Sequence, residues 1–339
     1  MKIGTAEAKK GCLVKGYIDC GELAMGSPIR MPVMILQGEQ DGPTLWINST
    51  VHGVEVNGIL ICRELAEEID PKTLRGSLVF TPINNPSGFQ ERHKFTGIDR
   101  LDMDQQYPGN PNGWHSERVA YIHFGYIKQY ANYMISLHAL GLHYDVLPYT
   151  IYKKLPGVDP KINQAAADMA VNFGYQAICE VDLTTASAEL PGAIAKNMDV
   201  NCLLNGIPAI MAETGAGSAL QPEFIEITKK GIYNVMGSLN MIDHPVVPLY
   251  KDRFIVTKRK FPTVSRGGLL MGLAKSGKLM QPGEEFVKVF NAFEDLEVIK
   301  SDEVWMPLGV SYEPVVDSGT VIGAVALEWR NVEESDLST

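Results

Sequence analysis

His52 and Glu55 stand three residues apart in VHGVEVNG (51–58), where an apolar run hands over to an amphipathic one. Residues at that spacing share a face of a turn or helix, so an imidazole and a carboxylate there can converge on one point. This is the geometry of two metal ligands, but H-x-x-E also arises by chance and needs structural context. His138, inside the apolar run YMISLHAL (133–140), is a candidate third donor. A buried imidazole needs a partner, and either a metal or a backbone carbonyl would serve. Two His and one Glu are a known catalytic zinc set that leaves a fourth position for water, whereas structural zinc sites are closed by four protein ligands. Hydrolysis at such a site requires a carboxylate that moves a proton. Glu213 is the candidate, because it ends the apolar run IPAIMAE just before TGAG. A carboxylate there is costly unless it has a function or a partner.

These residues need rigid elements to hold them. TLWINS (44–49) reads as a strand feeding HGVEVNGILICRELAEEID, in which Ile59, Cys62, Leu65, Ala66 and Ile69 recur at helical spacing. GSLVFTPI (76–83) is the next strand, and NNPSG (84–88) reads as the turn that ends it. ERVAYIHFGYIKQYAN and AAADMAVNFGY have helical periodicity, with YMISLHAL as the strand between them. GIPAIMAETG (206–215) is an apolar strand running into a glycine-rich loop, and PEFIEITKKGIYNVMGSL is helical. Strands alternating with helices predict an α/β layer fold. Beyond about residue 250 helical periodicity stops and Gly and Pro punctuate short Val- and Phe-rich runs, the pattern of an all-β segment. There PGEEFVKV (282–289) and SGTVIGAV (318–325) each place a Gly six residues before a Val, which suggests two related hairpin units. The expected organisation is a catalytic domain over 1–250, a β-rich domain over 251–330 and an acidic tail over 331–339.

At 339 residues the chain is about twice a common domain length. Thirty Lys+Arg against 40 Asp+Glu give a net charge of −10, a field that repels phosphate backbones and anionic membranes. Nucleic acid and membrane are therefore not expected as partners. The opening MKIGTAEAKKGC lacks an apolar signal core and no run approaches a membrane span, so a cytoplasmic location is expected. Five cysteines without C-x-x-C spacing predict reduced thiols, mostly buried, rather than a disulfide frame or a cysteine zinc site.

Five segments in this order, VHGVEVNG (51–58), INNPSGFQER (83–92), DMDQQYPG (102–109), ISLHALG (135–141) and MAETGAG (211–217), resemble the succinylglutamate desuccinylase/aspartoacylase family, a branch of the zinc carboxypeptidase superfamily. The likeness covers roughly residues 40 to 240. It implies an α/β/α catalytic domain with a mixed sheet, followed by a smaller all-β domain, for which capping or shaping the mouth of the site is the expected role. It further implies one zinc per chain on His52, Glu55 and His138, with Glu213 as general base and proton shuttle. Arg92 matches the family arginine that polarises the scissile carbonyl; a guanidinium fixed there would stabilise charge that develops in the transition state. Without the neighbouring motifs Arg92 reads as a surface arginine.

The chain departs from the family at Asp102-Met103-Asp104-Gln105, where the usual pattern is D-[LM]-N-R and the Asn-Arg pair grips a substrate carboxylate. Asp104 and Gln105 are thus the candidate substrate-binding residues, and Asp104 favours an ammonium or neutral group over a second carboxylate. The resulting expectation is zinc-dependent hydrolysis of an amide in a small N-acylated amino acid or related amine. A metallopeptidase of the same superfamily and a catalytically inactive ligand-binding homologue are the alternatives. A homo-oligomeric state is left open.

Overall fold

The computed structural model of the chain describes residues 1–185, 194–333 and 336. It opens with a small hairpin of β1 (Lys2–Ile3) and β2 (Ala6–Glu7), then β3 (Cys12–Glu22), β4 (Pro28–Gln37) and β5 (Gln40–Ser49). Next come α1 (Asn57–Glu68), β6 (Arg75–Thr81), α2 (Pro86–Glu91), α3 (His115–Tyr130), β7 (Tyr133–His138), β8 (Tyr144–Val146) and β9 (Tyr149–Lys154). The helical part finishes with α4 (Pro160–Phe173), β10 (Ala177–Asp182), α5 (Met198–Leu204), β11 (Ala209–Glu213) and α6 (Pro222–Ser238). Strands alone follow: β12 (Phe254–Lys260), β13 (Gly268–Gly272), β14 (Glu285–Phe290), β15 (Asp295–Lys300), β16 (Met306–Ser311), β17 (Val315–Val316) and β18 (Gly323–Asn331).

Among the described residues, twelve strands form one mixed sheet in the order β3-β4-β6-β5-β7-β11-β9-β10-β12-β18-β16-β8. Its centre is parallel from β6 through β5 and β7 to β11. Side chains alternate across it with the period of two that a strand imposes. Leu45 and Ile47 of β5 join α1, α4 and α6 through Ile61, Leu65, Met169, Ile225 and Ile232. Trp46 between them faces the other way, into a cluster with Val119 and Phe124 of α3 and Met198 and Cys202 of α5. Helices on both faces make the α/β/α sandwich that the alternating pattern predicts, and each large side chain so buried contributes about 1.5–3 kcal/mol.

NNPSG does not remain a turn. Asn85 accepts a hydrogen bond from Gly88 N at 2.9 Å and Pro86 takes the first helical position, so α2 starts there. Asn before Pro is a helix-start signal as much as a turn signal. The segment after 250 is all strand, as expected, but β12, β18 and β16 extend the main sheet, and β8 from the earlier part pairs with β16. Among the described residues after 250, β15-β14-β13-β17 form a separate antiparallel sheet. Gly283 and Gly319 both adopt positive φ before β14 and β18, yet those strands enter different sheets. Asn331, the first residue of the expected acidic tail, closes β18; residues 334, 335 and 337–339 of that tail lie outside the described residues. All five cysteines are free thiols and only Cys12 is exposed. Among the described residues no helix is long and apolar enough to cross a membrane.

Candidate active site

Three parallel strands, β5, β7 and β11, end side by side, and the candidate residues lie at or just past their carboxyl ends, where open α/β sheets usually bind ligands. His52 follows β5 by three residues, His138 is the last residue of β7, and Glu213, the last of β11, lies opposite His138 in register. The loop bearing His52 and Glu55 is fixed from within. Thr50, at φ 57°, donates its hydroxyl to Glu55 O at 2.9 Å, and Glu55 N donates to His52 O at 3.1 Å. Gly53 is needed for close approach, since a Cβ there would lie 2.1 Å from the carbonyl carbon of Gly88. Asn57 ties the start of α1 to the loop after β11 by donating to Thr214 O at 2.7 Å. Thr214 in turn donates both its backbone N–H and its hydroxyl to His138 O, at 2.8 and 2.7 Å.

Donor atoms of His52, Glu55 and His138 all fall within 4.8 Å of one another. Nδ1 of His52 is 2.7 Å from Glu55 Oε1, and Nδ1 of His138 is 3.3 Å from Glu55 Oε2. Each imidazole is held from behind by its other nitrogen: His52 Nε2 meets Asp102 Oδ1 at 3.1 Å, and His138 Nε2 meets Ser136 Oγ at 2.9 Å. Outer partners of this kind fix ring orientation in metal sites. Glu55 Oε2 and Glu213 Oε2 are buried and have no hydrogen-bond partner among the described residues. Buried polar atoms are nearly always satisfied, so Glu213 Oε2 without a partner, and Glu55 Oε2 with only the ion-pair contact to His138, beside two inward-turned Nδ1 atoms, fit a cation. The electrostatics agree. Burial opposes an imidazolium at His52, but Glu55 and Asp102 outweigh it and push its pKa up to about 10. Burial likewise opposes ionised Glu55, and the two histidines overcome it to hold its carboxyl down at about 2. Glu213 behaves oppositely: burial, reinforced by Glu55 and opposed by His138, raises it to about 7.

Above this cluster lies a cavity of about 810 Å³, within the size range of small-molecule sites. Asp104 and Gln105 both line it. Asp104 is buried, accepting from the Asn197 side-chain amide and, at 3.5 Å, from Met198 N at the start of α5. Gln105 Nε2 lies 3.5 Å from Asp102 Oδ2. Ser311, Glu313, Thr320 and Val321 bring the C-terminal segment to the same wall. Arg92 is not brought to this cavity. It caps α2 in a left-handed conformation, φ 55°, and lines a separate depression with Gly53, Val56, Phe89 and Ser218. The helix that replaces the expected turn is the physical reason.

Sequence reasoning assigned no role to Asp102 or Ser136. Ser136 was within reach, because two residues before His138 on a strand is the same face. Asp102, 50 positions from His52, carried no local signal beyond its motif.

Comparison with known proteins shows the family and the fold. Residues 41–239 match the family model of the succinylglutamate desuccinylase/aspartoacylase catalytic domain. The chain is 23% identical over 235 residues to N-alpha-acetyl-L-2,4-diaminobutyric acid deacetylase of Halomonas elongata, covering 67% of this chain and 65% of that protein. The match thus spans just under two thirds of that relative's length. A succinylglutamate desuccinylase/aspartoacylase structure from Rhodobacter sphaeroides superposes with a TM-score of 0.81 at 19% identity, over 95% of this chain and 96% of that one. The product-bound ectoine utilization protein EutE (DoeB) of Ruegeria pomeroyi gives 0.79 at 18% identity, over 94% and 95%. The structural likenesses establish a shared fold, and the family match extends over more than half of the chain. This protein belongs to the succinylglutamate desuccinylase/aspartoacylase family.

Proposed function

We propose that the protein is a zinc-dependent amidohydrolase that releases a small acyl group from an N-acylated amino acid or related amine. The observation that carries this reading is the convergence of His52, Glu55 and His138 beneath a cavity that Glu213 also lines. Three protein donors leave room for a further ligand, as catalytic zinc sites do. Zinc held by these residues would act as a Lewis acid on the scissile carbonyl and offset the charge that develops there. The chain's own groups do the rest. Glu213, raised to about 7, is suited to take a proton from the attacking water and return it to the departing nitrogen near neutral pH. Asp102 and Ser136 keep the two Nδ1 atoms turned inward. The Halomonas relative is named for a substrate with a side-chain amine, and Asp104 and Glu313 on the cavity wall suit an ammonium. An N-acyl diamino acid is therefore our first choice of substrate.

The test is elemental analysis of the purified protein together with turnover of a panel of N-acetyl amino acids, N-acetyl diamino acids and dipeptides. About one zinc per chain is expected, lost in a folded His138→Ala variant, with the N-acetyl diamino acid turned over best. A zinc-free wild type, or cleavage of dipeptides alone, would overturn the reading.

A further inference from the structure

Three histidines and a lysine are among the described residues that line the cavity. Among the described residues that line it, Lys94 is the only Lys or Arg, set against the carboxyl groups of Glu55, Asp102, Asp104, Glu213 and Glu313. Two arginines that flank Lys94 in the sequence, Arg92 and Arg100, do not line the cavity. Arg92 lines the separate depression behind α2, and Arg100 pairs with Glu91 at 3.0 Å. An N-acyl amino acid brings its own carboxylate into this acidic space, where it is repelled unless a cation receives it.

We propose that Lys94 is the residue that holds the substrate's carboxylate, and so selects amino-acid amides over simple amine amides. The proposal rests on the deacylase reading given above. Its geometry suits capture of a ground-state ion. Lys94 Nζ lies 3.6 Å from Asp102 Oδ2, too far for a hydrogen bond, and its side chain is 52% exposed. A flexible four-carbon stem in that setting can turn from Asp102 to an arriving carboxylate and form a charge-assisted bond. Asp102 Oδ1 stays on His52 Nε2 throughout, so the support of that imidazole does not depend on Lys94. Stabilising charge on the scissile carbonyl instead would require a donor fixed in advance, which a half-exposed lysine without a hydrogen-bonding anchor is not. Asp104 and Glu313, which line the same cavity, are left to meet the substrate's ammonium, so the cavity suits a zwitterion.

The experiment compares wild type with Lys94→Met, which keeps the stem, and Lys94→Arg, which restores the charge. Two substrates are used, N-alpha-acetyl-2,4-diaminobutyrate and its analogue without a carboxylate, N-acetyl-1,3-diaminopropane. Lys94→Met should raise KM for the first by about 10- to 100-fold with kcat within about threefold of wild type, leave KM for the second unchanged and retain zinc. Lys94→Arg should recover most of the loss. A fall in kcat of equal size on both substrates would assign Lys94 to the carbonyl and overturn the proposal, as would an unchanged KM. Calorimetric binding of 2,4-diaminobutyrate and 1,3-diaminopropane gives a readout independent of turnover. Wild type should bind the first more tightly and Lys94→Met should not discriminate; equal discrimination by both proteins overturns the proposal. Failure of every amide to react, with that binding pattern intact, would remove the deacylase reading alone.

Discussion

Glu213 differs from Glu55 and Asp102, each of which pairs with a histidine among the described residues. Its Oε2 is buried without a partner among the described residues, and burial raises its pKa to about 7, whereas Glu55 and Asp102 are both held near 2 by histidines. Carboxyl groups whose surroundings push their pKa values apart divide the roles of ligand support and proton transfer. Glu213→Gln preserves size and one polar contact but cannot accept a proton. It should keep zinc and lower kcat by about 10²-fold or more, measured on the best N-acetyl substrate with metal content checked in parallel. Activity within a few-fold of wild type would assign the proton to another group. At this scale the sequence made His52, Glu55, His138 and Glu213 legible, because each sits at a position fixed by local pattern: a three-residue spacing, or the last residue of an apolar strand. Arg92 was assigned by the family resemblance and not by local pattern, and Lys94 drew no reading. They are two residues apart, and which one reaches the cavity depends on the left-handed residue that ends α2.

Helix α3 shows how an element is pinned to the sheet by a polar contact that periodicity does not reveal. His123 lies within its buried face, fully enclosed, with Nε2 at 3.2 Å from Thr81 Oγ1 and Nδ1 at 3.0 Å from Tyr107 Oη. Trp46 Nε1 donates to the same Thr81 hydroxyl at 3.0 Å, leaving the hydroxyl proton for His123 Nε2 and suiting a neutral ring. Burial alone lowers the pKa of His123 to about 3. The unfolded chain, with an ordinary histidine near 6.5, therefore binds more protons than the folded one between about pH 6.5 and 3. The stability supplied by the neutral imidazole is complete above that window and declines as pH falls through it. Between pH 6.5 and 5 the loss should amount to about 1–2 kcal/mol. Urea denaturation of wild type and His123→Gln at both pH values checks this: the variant starts less stable but should lose less on acidification. Parallel losses would mean that His123 is not the group titrating. Helix α3 itself was legible from its apolar spacing, while His123 carried no visible partner, since Thr81 and Tyr107 come from other elements.

At the scale of the whole molecule, composition and pairing divide the chain differently. The loss of helical texture near residue 250 correctly marks where strands take over, because periodicity is a local property of sequence. Sheet pairing is not local. Strand β12 pairs in parallel with β10 from Ala177↔Phe254 to Cys179↔Val256, and β8 finds its partner in β16, Gly309↔Val146 to Ser311↔Tyr144. One apolar cluster crosses the same line, joining Tyr149, Ile151 and Cys179 to Val256, Leu308 and Ala324. A chain ended at residue 250 would leave β10 as an open edge with its apolar face uncovered and β8 without a neighbour, the arrangement that promotes edge-to-edge association. It would also lose the cavity wall formed by Ser311, Glu313, Thr320 and Val321. Such a truncation should therefore accumulate as aggregate, or elute in the void volume on size exclusion, although residues 1–250 contain every candidate zinc ligand and Glu213. A monodisperse, zinc-loaded 1–250 fragment with normal turnover would show that the C-terminal strands are an appendage. The pairing of β12 against β10 in the same sheet as β5, β7 and β11, together with the C-terminal residues on the cavity wall, argues that these strands complete the sheet that carries the candidate site.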